Sequence, residues 1–341
     1  MKLILDAMGG DNAPLEILKG AADALAEYSD IELILVGREQ ELRELCEREK
    51  LTLDRVEYID APDVVTMEDA AQTVVMSKKN SSMSLGLKAL AAGRGDAFIS
   101  AGNTGALMTG ATLLVRCVKG VKRAAIATIL PMDKPVLMLD SGSNVVVTPE
   151  FLVQFGILGS VYMENLFNIE RPRVGLLNNG TEEHKGTPML VEAHEMLKNT
   201  ANLNFVGNVE AKGIMTGDCD VLVTDGFTGN IVLKTIEGLS KFMMKKLKGL
   251  FMKNTLSKLS ALLIKKEFTT LKKAFDASEY GGAPFLGISK PVFKAHGGSD
   301  ARAIKNALRQ AREYIAKDVP AIIDARITES IAADKVSADK Q

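Results

Sequence analysis

Five apolar runs in this chain stop abruptly on clusters of Gly, Asn, Asp, Ser or Thr: LILDAMGGDN from Leu3, AFISAGNTGA from Ala97, VLMLDSGSN from Val136, VGLLNNGTEEHKG from Val174 and VLVTDGFTGN from Val221. Each run has the length of a strand and passes into a helix-like pattern. Strands and helices therefore alternate, and the fold class is α/β with a doubly wound, mostly parallel sheet. Open α/β sheets bind ligands beyond the carboxyl ends of their strands. The clusters are thus expected along the carboxyl edge of one parallel sheet, which is the candidate active site. None of them holds a Cys and only one holds a His, so no Cys-His or Ser-His nucleophile system is in view. Glycine-exposed N–H groups, amides and hydroxyls suit an anionic ligand instead.

The alternation begins at once. Leu3 to Asp6 reads as a strand, Met8 to Asp11 as a turn, and Asn12 as a helix cap with Pro14 in the first turn. Helix LEILKGAADALAEY, strand IELILVG and helix REQELRELCEREK follow, and the pattern returns through KRAAIATIL, RPRVGLLNNG, LNFVGN and CDVLVTDG. A chain of 341 residues that is 46% hydrophobic can bury a large core, as one α/β unit or two fused lobes. We divide it into a single catalytic unit over residues 1–330 and a polar tail over 331–341. One interval departs from the alternation: 241–275 is helix-like throughout, with ten lysines against the single acid Glu267. It reads as a protruding basic amphipathic excursion.

Composition excludes several functions. A net charge of −1 argues against a nucleic-acid-binding surface. Cys46, Cys117 and Cys219 are far apart and lack CxxC spacing, so neither a disulfide framework nor a zinc site is expected and a reducing cytoplasm is the simplest location. Asp6 interrupts any signal-peptide core. The most apolar stretch, FLVQFGILGSVYM from Phe151, is too short to span a bilayer and carries Gln154; it reads as a buried helix or subunit contact. No GxxxxGK[ST] loop occurs, and MGGDNAP stands where a dinucleotide-binding GxGxxG would follow the first strand. In its place Gly9 and Gly10, and Gly102 and Gly105 of AGNTGA, let backbone approach an anion, with Asn103 and Thr104 as donors. The alternative for AGNTGA is a capped strand-to-helix turn.

In order and spacing, DAMGGD, SAGNTGA, LDSGSN, NNGTEEHKG, DVLVTDGFTGN, GGAPFLG and HGGSD resemble the bacterial phosphate acyltransferases of phospholipid synthesis. The resemblance runs from Met1 to about residue 330. It implies transfer of an acyl group from acyl-[acyl-carrier protein] to inorganic phosphate, and a fold similar to phosphotransacetylases and to isocitrate and isopropylmalate dehydrogenases. It also implies a homodimer working without cofactor, metal or nucleotide, whose product passes to a glycerol-phosphate acyltransferase.

The residues fit such chemistry on their own terms. Much of the phosphate is already a dianion near neutral pH and serves as its own nucleophile. Attack on a thioester then needs a held phosphate, donors for the oxyanion and help for a thiolate whose conjugate acid has a pKa of about 8.5. Lys185, between Gly180 and Gly186, is the candidate charge for phosphate or oxyanion, with Glu182 to orient it. His296, just before a helix expected to be capped by Ser299 or Asp300, could protonate the thiolate or steady the oxyanion. His184 reads as a solvated loop residue and His194 as structural. Asp6, Asp140 and Asp225 end strands; they suggest a divalent metal or, as we favour, carboxylates that fix loops by accepting N–H groups, and Asp225 is also counted among the phosphate-site residues. Asn144 and Asn230 are candidates for polar substrate contacts. Lys185, His296 and Asn103 form the expected catalytic set. In 241–275 the apolar residues recur at three- and four-residue steps, which suits attachment to the anionic inner face of the membrane or packing at the dimer. Two other readings stay open: a phosphotransacetylase-like enzyme using acyl-coenzyme A, and a non-catalytic membrane scaffold for acyl-carrier protein.

Overall fold

The computed structural model describes residues 1–132, 134–254 and 281–338. Its strands form two sheets rather than the single sheet expected. The first contains β1 (Lys2–Asp6), β2 (Glu32–Gly37), β3 (Val56–Asp60), β4 (Ala97–Ser100), β5 (Ala125–Ile126), β11 (Ala283–Leu286) and β12 (Val292–Lys294), in the order β3-β2-β1-β4-β12-β11-β5. The second contains β6 (Thr128–Leu130), β7 (Val136–Leu139), β8 (Val174–Asn178), β9 (Phe205–Glu210) and β10 (Val221–Val223), in the order β6-β7-β10-β8-β9. The run KRAAIATIL, expected as one strand, is what divides them: its halves join different sheets across Ala127, whose N–H donates to Pro284 O at 3.0 Å.

Within each sheet the strands that carry the polar clusters are parallel neighbours, as a doubly wound pattern requires. Both faces of the first sheet are covered. Leu3 and Leu5 of β1 share a buried cluster with α1 (Leu15–Glu27), α2 (Glu39–Glu49) and α10 (Ala301–Ala316), while Ile4 faces the other way, into the cluster of α4 (Ser82–Ala91) and α5 (Thr104–Gly110). This two-residue alternation between two apolar layers explains why the strands read as unbroken hydrophobic runs. Between β3 and α4 lies the short helix α3 (Thr73–Met76).

The second sheet repeats the scheme. Leu137, Leu139, Leu176 and Val223 pack with α6 (Pro149–Leu166), α7 (Pro188–Asn199) and α11 (Val319–Ala338), and Met138 and Leu222 with residues of α8 (Ala211–Thr216) and α9 (Gly226–Phe251). The first of these clusters continues across both sheets, so the two lobes share a core. The apolar stretch from Phe151 lies in α6, with Leu152, Phe155, Leu158 and Val161 fully buried. Gln154 bridges back to the preceding loop, accepting from Lys122 N–H and donating to Gly120 O, both at 2.9 Å.

The basic interval begins differently from the expectation. Residues 241–251 are the end of α9, which starts at Gly226 directly after the Asp225 cluster, and the segment 255–275 of the expected excursion lies outside the described residues. The C-terminal tail is helical as far as Ala338.

Candidate active site

At the edge of the first sheet, register places Leu5 opposite Ile99 and Lys294 opposite Ser100, so the segments after β1, β4 and β12 meet. Asp6 is buried there and accepts from Ser100 Oγ at 2.6 Å and Met8 N–H at 3.2 Å. Burial raises its pKa against the opposing pull of these hydrogen bonds. Gly9 and Gly10 are what let the loops close: a Cβ on Gly9 would fall 2.6 Å from Asp6 Oδ2 and 2.8 Å from Gly102 N, and Gly10 adopts φ +109°. Asp11 N–H donates to Gly297 O at 2.8 Å, and Asn12 Nδ2 to the Gly298 and Ser299 carbonyls. Asn12 therefore laces two loops together instead of capping α1 through its side chain, where Pro14 takes the cap position.

Asn103 is the N-cap of α5. Its Oδ1 accepts from Ala106 N–H at 3.0 Å, and its Nδ2 donates to the carbonyls of Thr66, Met67 and Asp69 at 3.2, 3.1 and 3.0 Å. The amide is thus committed to holding a neighbouring loop. Thr104 and Gly105, which start the helix, lie at the surface beside it, half-buried and exposed respectively, while Gly102 is buried against Met83.

His296 reaches solvent, and its Nδ1 accepts from Gly298 N–H at 3.1 Å. That bond selects the neutral tautomer carrying its hydrogen on Nε2. Partial burial, then the ammonium of Lys234, then those of Lys294 and Lys241 hold its pKa below the usual histidine value, with Glu237 acting in the opposite sense. Lys234, Glu237 and Lys241 all belong to α9, so this helix brings its charges close to the first edge. Asp300 is the cap of α10, accepting from Ala303 N–H at 2.9 Å. Ser299 Oγ is buried without a hydrogen-bond partner among the described residues.

The edge of the second sheet is built differently. Asp140 is fully buried, and its carboxylate accepts from the N–H groups of Gly142, Ser143 and Asn144 at 3.1, 3.1 and 2.6 Å, from Ser143 Oγ at 2.7 Å and from Asn144 Nδ2 at 2.8 Å. Asn144 also donates to Ala124 O at 2.8 Å, and its own carbonyl accepts from Gly226 N–H at 2.7 Å. Asp225 caps α9, accepting from Thr228 N–H at 2.8 Å and Thr228 Oγ1 at 2.7 Å. All three expected loop carboxylates thus fix loops, and the side chains of Asn144 and Asp225, expected at the ligand, are engaged inside the protein. Asn230 is exposed and lies against Gly142, its Oδ1 3.7 Å from where a Cβ would stand.

Lys185 is half-buried on the loop after β8, and its ammonium forms no hydrogen bond or ion pair among the described residues. Gly180 lies beneath it, since a Cβ there would fall 2.8 Å from Glu182 Oε2 and 3.0 Å from Lys185 Cγ. Backbone hydrogen bonding and then the charge of Lys185 lower the pKa of Glu182. Buried polar groups set this loop: Asn178 Nδ2 donates to Lys185 O at 3.0 Å and Asn208 Nδ2 to Glu182 O at 2.8 Å, while Asn208 Oδ1 lies 3.0 Å from Nδ1 of buried His194. His194 is structural, as expected. Glu183 pairs with Lys198 at 2.8 Å.

Parallel pairing thus brings Asn103, His296, Gly9, Gly10, Gly102, Thr104 and Gly105 to one edge, and Lys185, Glu182, Asn144, Asp225 and Asn230 to the other. Sequence reasoning missed Lys294. Its signal is a lysine closing the apolar strand PVF immediately before AHGGSD. Its ammonium donates to Ala101 O at 3.0 Å and also to Ala295 O. The three cysteines lie elsewhere, and burial raises each thiol, Cys219 to about 12.

The fold is that of phosphotransacetylases. A phosphotransacetylase from Streptococcus pyogenes superposes with a TM-score of 0.64 at 18% identity, covering 93% of this chain and 94% of that one. A 4-hydroxythreonine-4-phosphate dehydrogenase from Burkholderia phymatum gives 0.52 at 14% identity, covering 92% and 97%. Sequence carries the assignment further. The family described as fatty acid synthesis protein matches residues 1–322, and a phosphate acyltransferase from Thermoanaerobacter pseudethanolicus is 48% identical over 320 residues, 94% of this chain and 95% of the relative. The chain belongs to this fatty acid synthesis family, whose members include the phosphate acyltransferases it resembles, and it is an acyltransferase.

Proposed function

We propose that the protein transfers a fatty acyl group from an acyl-[acyl-carrier protein] thioester to inorganic phosphate, yielding acyl phosphate for phospholipid synthesis. A phosphate oxygen attacks the thioester carbon, the carbonyl oxygen becomes an oxyanion, and the C–S bond then breaks to release the carrier's thiolate, which takes up a proton. Neutral His296 offers Nε2–H to the oxyanion or the departing sulfur, and Lys185 offers charge to phosphate or oxyanion. One observation carries this reading: desolvation raises all three cysteine thiols, of which Cys46 and Cys219 are buried and Cys117 half-buried, while the strand-end carboxylates are hydrogen-bonded into loops, so the site offers donors and cations and leaves the nucleophile to the substrate.

The direct test traps the product with hydroxylamine. Hydroxamate from purified protein and acyl-carrier-protein thioester should rise with added phosphate above the background of direct thioester hydroxylaminolysis; no phosphate-dependent rise would point to a non-catalytic scaffold. Because the fold is shared with phosphotransacetylases, acyl-coenzyme A is the competing donor. Turnover on the carrier-protein thioester should be far faster.

The same reading makes the protein a cytoplasmic homodimer resting on the anionic inner face of the membrane through 241–275, where a downstream glycerol-phosphate acyltransferase takes the acyl phosphate. Among the described residues no helix is long and apolar enough to cross a membrane, and Phe242, Met243 and Leu250 of α9 are exposed. Leu259→Glu with Leu263→Glu should abolish binding to anionic vesicles while turnover of soluble substrate survives.

A further inference from the structure

Lys294 ends β12 in the middle of the first edge, and it is the charged group there whose role is unexplained. Its ammonium reaches only carbonyls, those of Ala101 and Ala295, and no carboxylate lies within ion-pairing distance among the described residues. An ammonium withdrawn from water is costly without a counter-charge. Asp6 on β1 and Asp11 in the loop after it act on Lys294 electrostatically. Asp6, however, is hydrogen-bonded to Ser100 and Met8 and is itself pushed toward its protonated form by burial. Lys234 of α9 and His296 beside it add no negative charge. Two of the three N–H donors of Lys294 are used by carbonyls, leaving one for a ligand.

We infer that Lys294 is a phosphate-binding residue, and that the missing counter-charge of its ammonium is the inorganic phosphate of the reaction. This rests on the phosphate acyltransferase reading above. The carbonyl of Ala101 holds Nζ immediately before Gly102, so the bound anion would lie against the Gly102–Gly105 turn. Burial also brings the ammonium's pKa down to about 8, outweighing Asp11 and Asp6, which raise it. Anion affinity should therefore fall as pH rises through that value.

Calorimetric binding of inorganic phosphate, without acyl donor, tests the assignment. Lys294→Met should weaken binding by about ten- to a hundredfold, the worth of one charge-assisted hydrogen bond, whereas affinity within about twofold of wild type would overturn the proposal. Sulfate keeps its charge across the alkaline range. Its affinity for the wild-type protein should drop above about pH 8, and Lys294→Arg should bind it without that drop, because guanidinium stays protonated. This pH arm decides the matter even if Lys294→Met does not fold: a flat wild-type sulfate profile overturns the assignment. Failure of the wild-type protein to bind phosphate removes the phosphate-substrate reading itself and Lys294's role with it. Normal wild-type binding with an unaffected Lys294→Met removes only the role of Lys294.

Discussion

The two sheet edges use similar residues to different ends. On the second edge Asp140 and Asp225 spend their oxygens on the loops that carry them, and Asn144 is locked between Asp140 and Ala124. On the first edge Asp6 is spent in the same way, but Lys294 and His296 are held by backbone groups alone. Acids form the scaffold on both edges, and nitrogen donors are left uncommitted to any carboxylate: the Lys294 ammonium and the neutral His296 ring on one, the Lys185 ammonium on the other. Oxygen accounting therefore separates residues that look equivalent at strand ends.

The largest effect should come from the scaffold. Asp140→Ala leaves several buried donors unpaired and should cost about 3–4 kcal/mol of stability in denaturant unfolding. A stable variant with lost turnover would instead make Asp140 a ligand residue and break the contrast. Lys185→Ala should do the opposite, lowering turnover roughly ten- to a thousandfold, about 1.4–4 kcal/mol of barrier, with thermal unfolding nearly unchanged. Easy unfolding at normal specific activity would place Lys185 in the scaffold.

Asn103→Ala sharpens the comparison, because its amide caps α5 and holds the carbonyls of residues 66–69. It should lose about 1–2 kcal/mol of stability, with turnover falling as a consequence of the loosened loop. Undiminished stability with lost turnover would return it to the catalytic set. The smallest effect is a titration. His296 should ionise below the ordinary histidine value of 6.5 by NMR, and Lys234→Met should raise its pKa by removing a neighbouring cation. The folded protein holds this proton more weakly than the unfolded chain. The stability His296 contributes is therefore complete above about pH 6.5 and declines as pH falls below it. A titration at or above the ordinary value would contradict the cationic surroundings described for the first edge.

Much of this was legible in the sequence. Apolar runs ending on Gly, Asn and Asp located the parallel strands and the carboxyl ends where the polar clusters gather, and the loop-fixing role of the acids followed from their short neighbours. The division into two sheets was not legible, because it depends on Ala127 separating two short strands that join different partners. Nor was the role of Asn12, whose long-range bonds to the loop at Gly298 and Ser299 outcompete the local cap that its spacing suggests. Lys294 was missed because one lysine at a strand end carries no periodicity. Only the register of β12 beside β4 shows that it closes on Ala101.

The central claim is that phosphate, and no side chain, attacks the thioester. Intact-mass spectrometry of the protein incubated with acyl-carrier-protein thioester in the absence of phosphate measures this directly. The account predicts an unchanged protein mass, followed by acyl phosphate formation once phosphate is added. A stoichiometric acyl adduct that phosphate then discharges at the rate of turnover would contradict it.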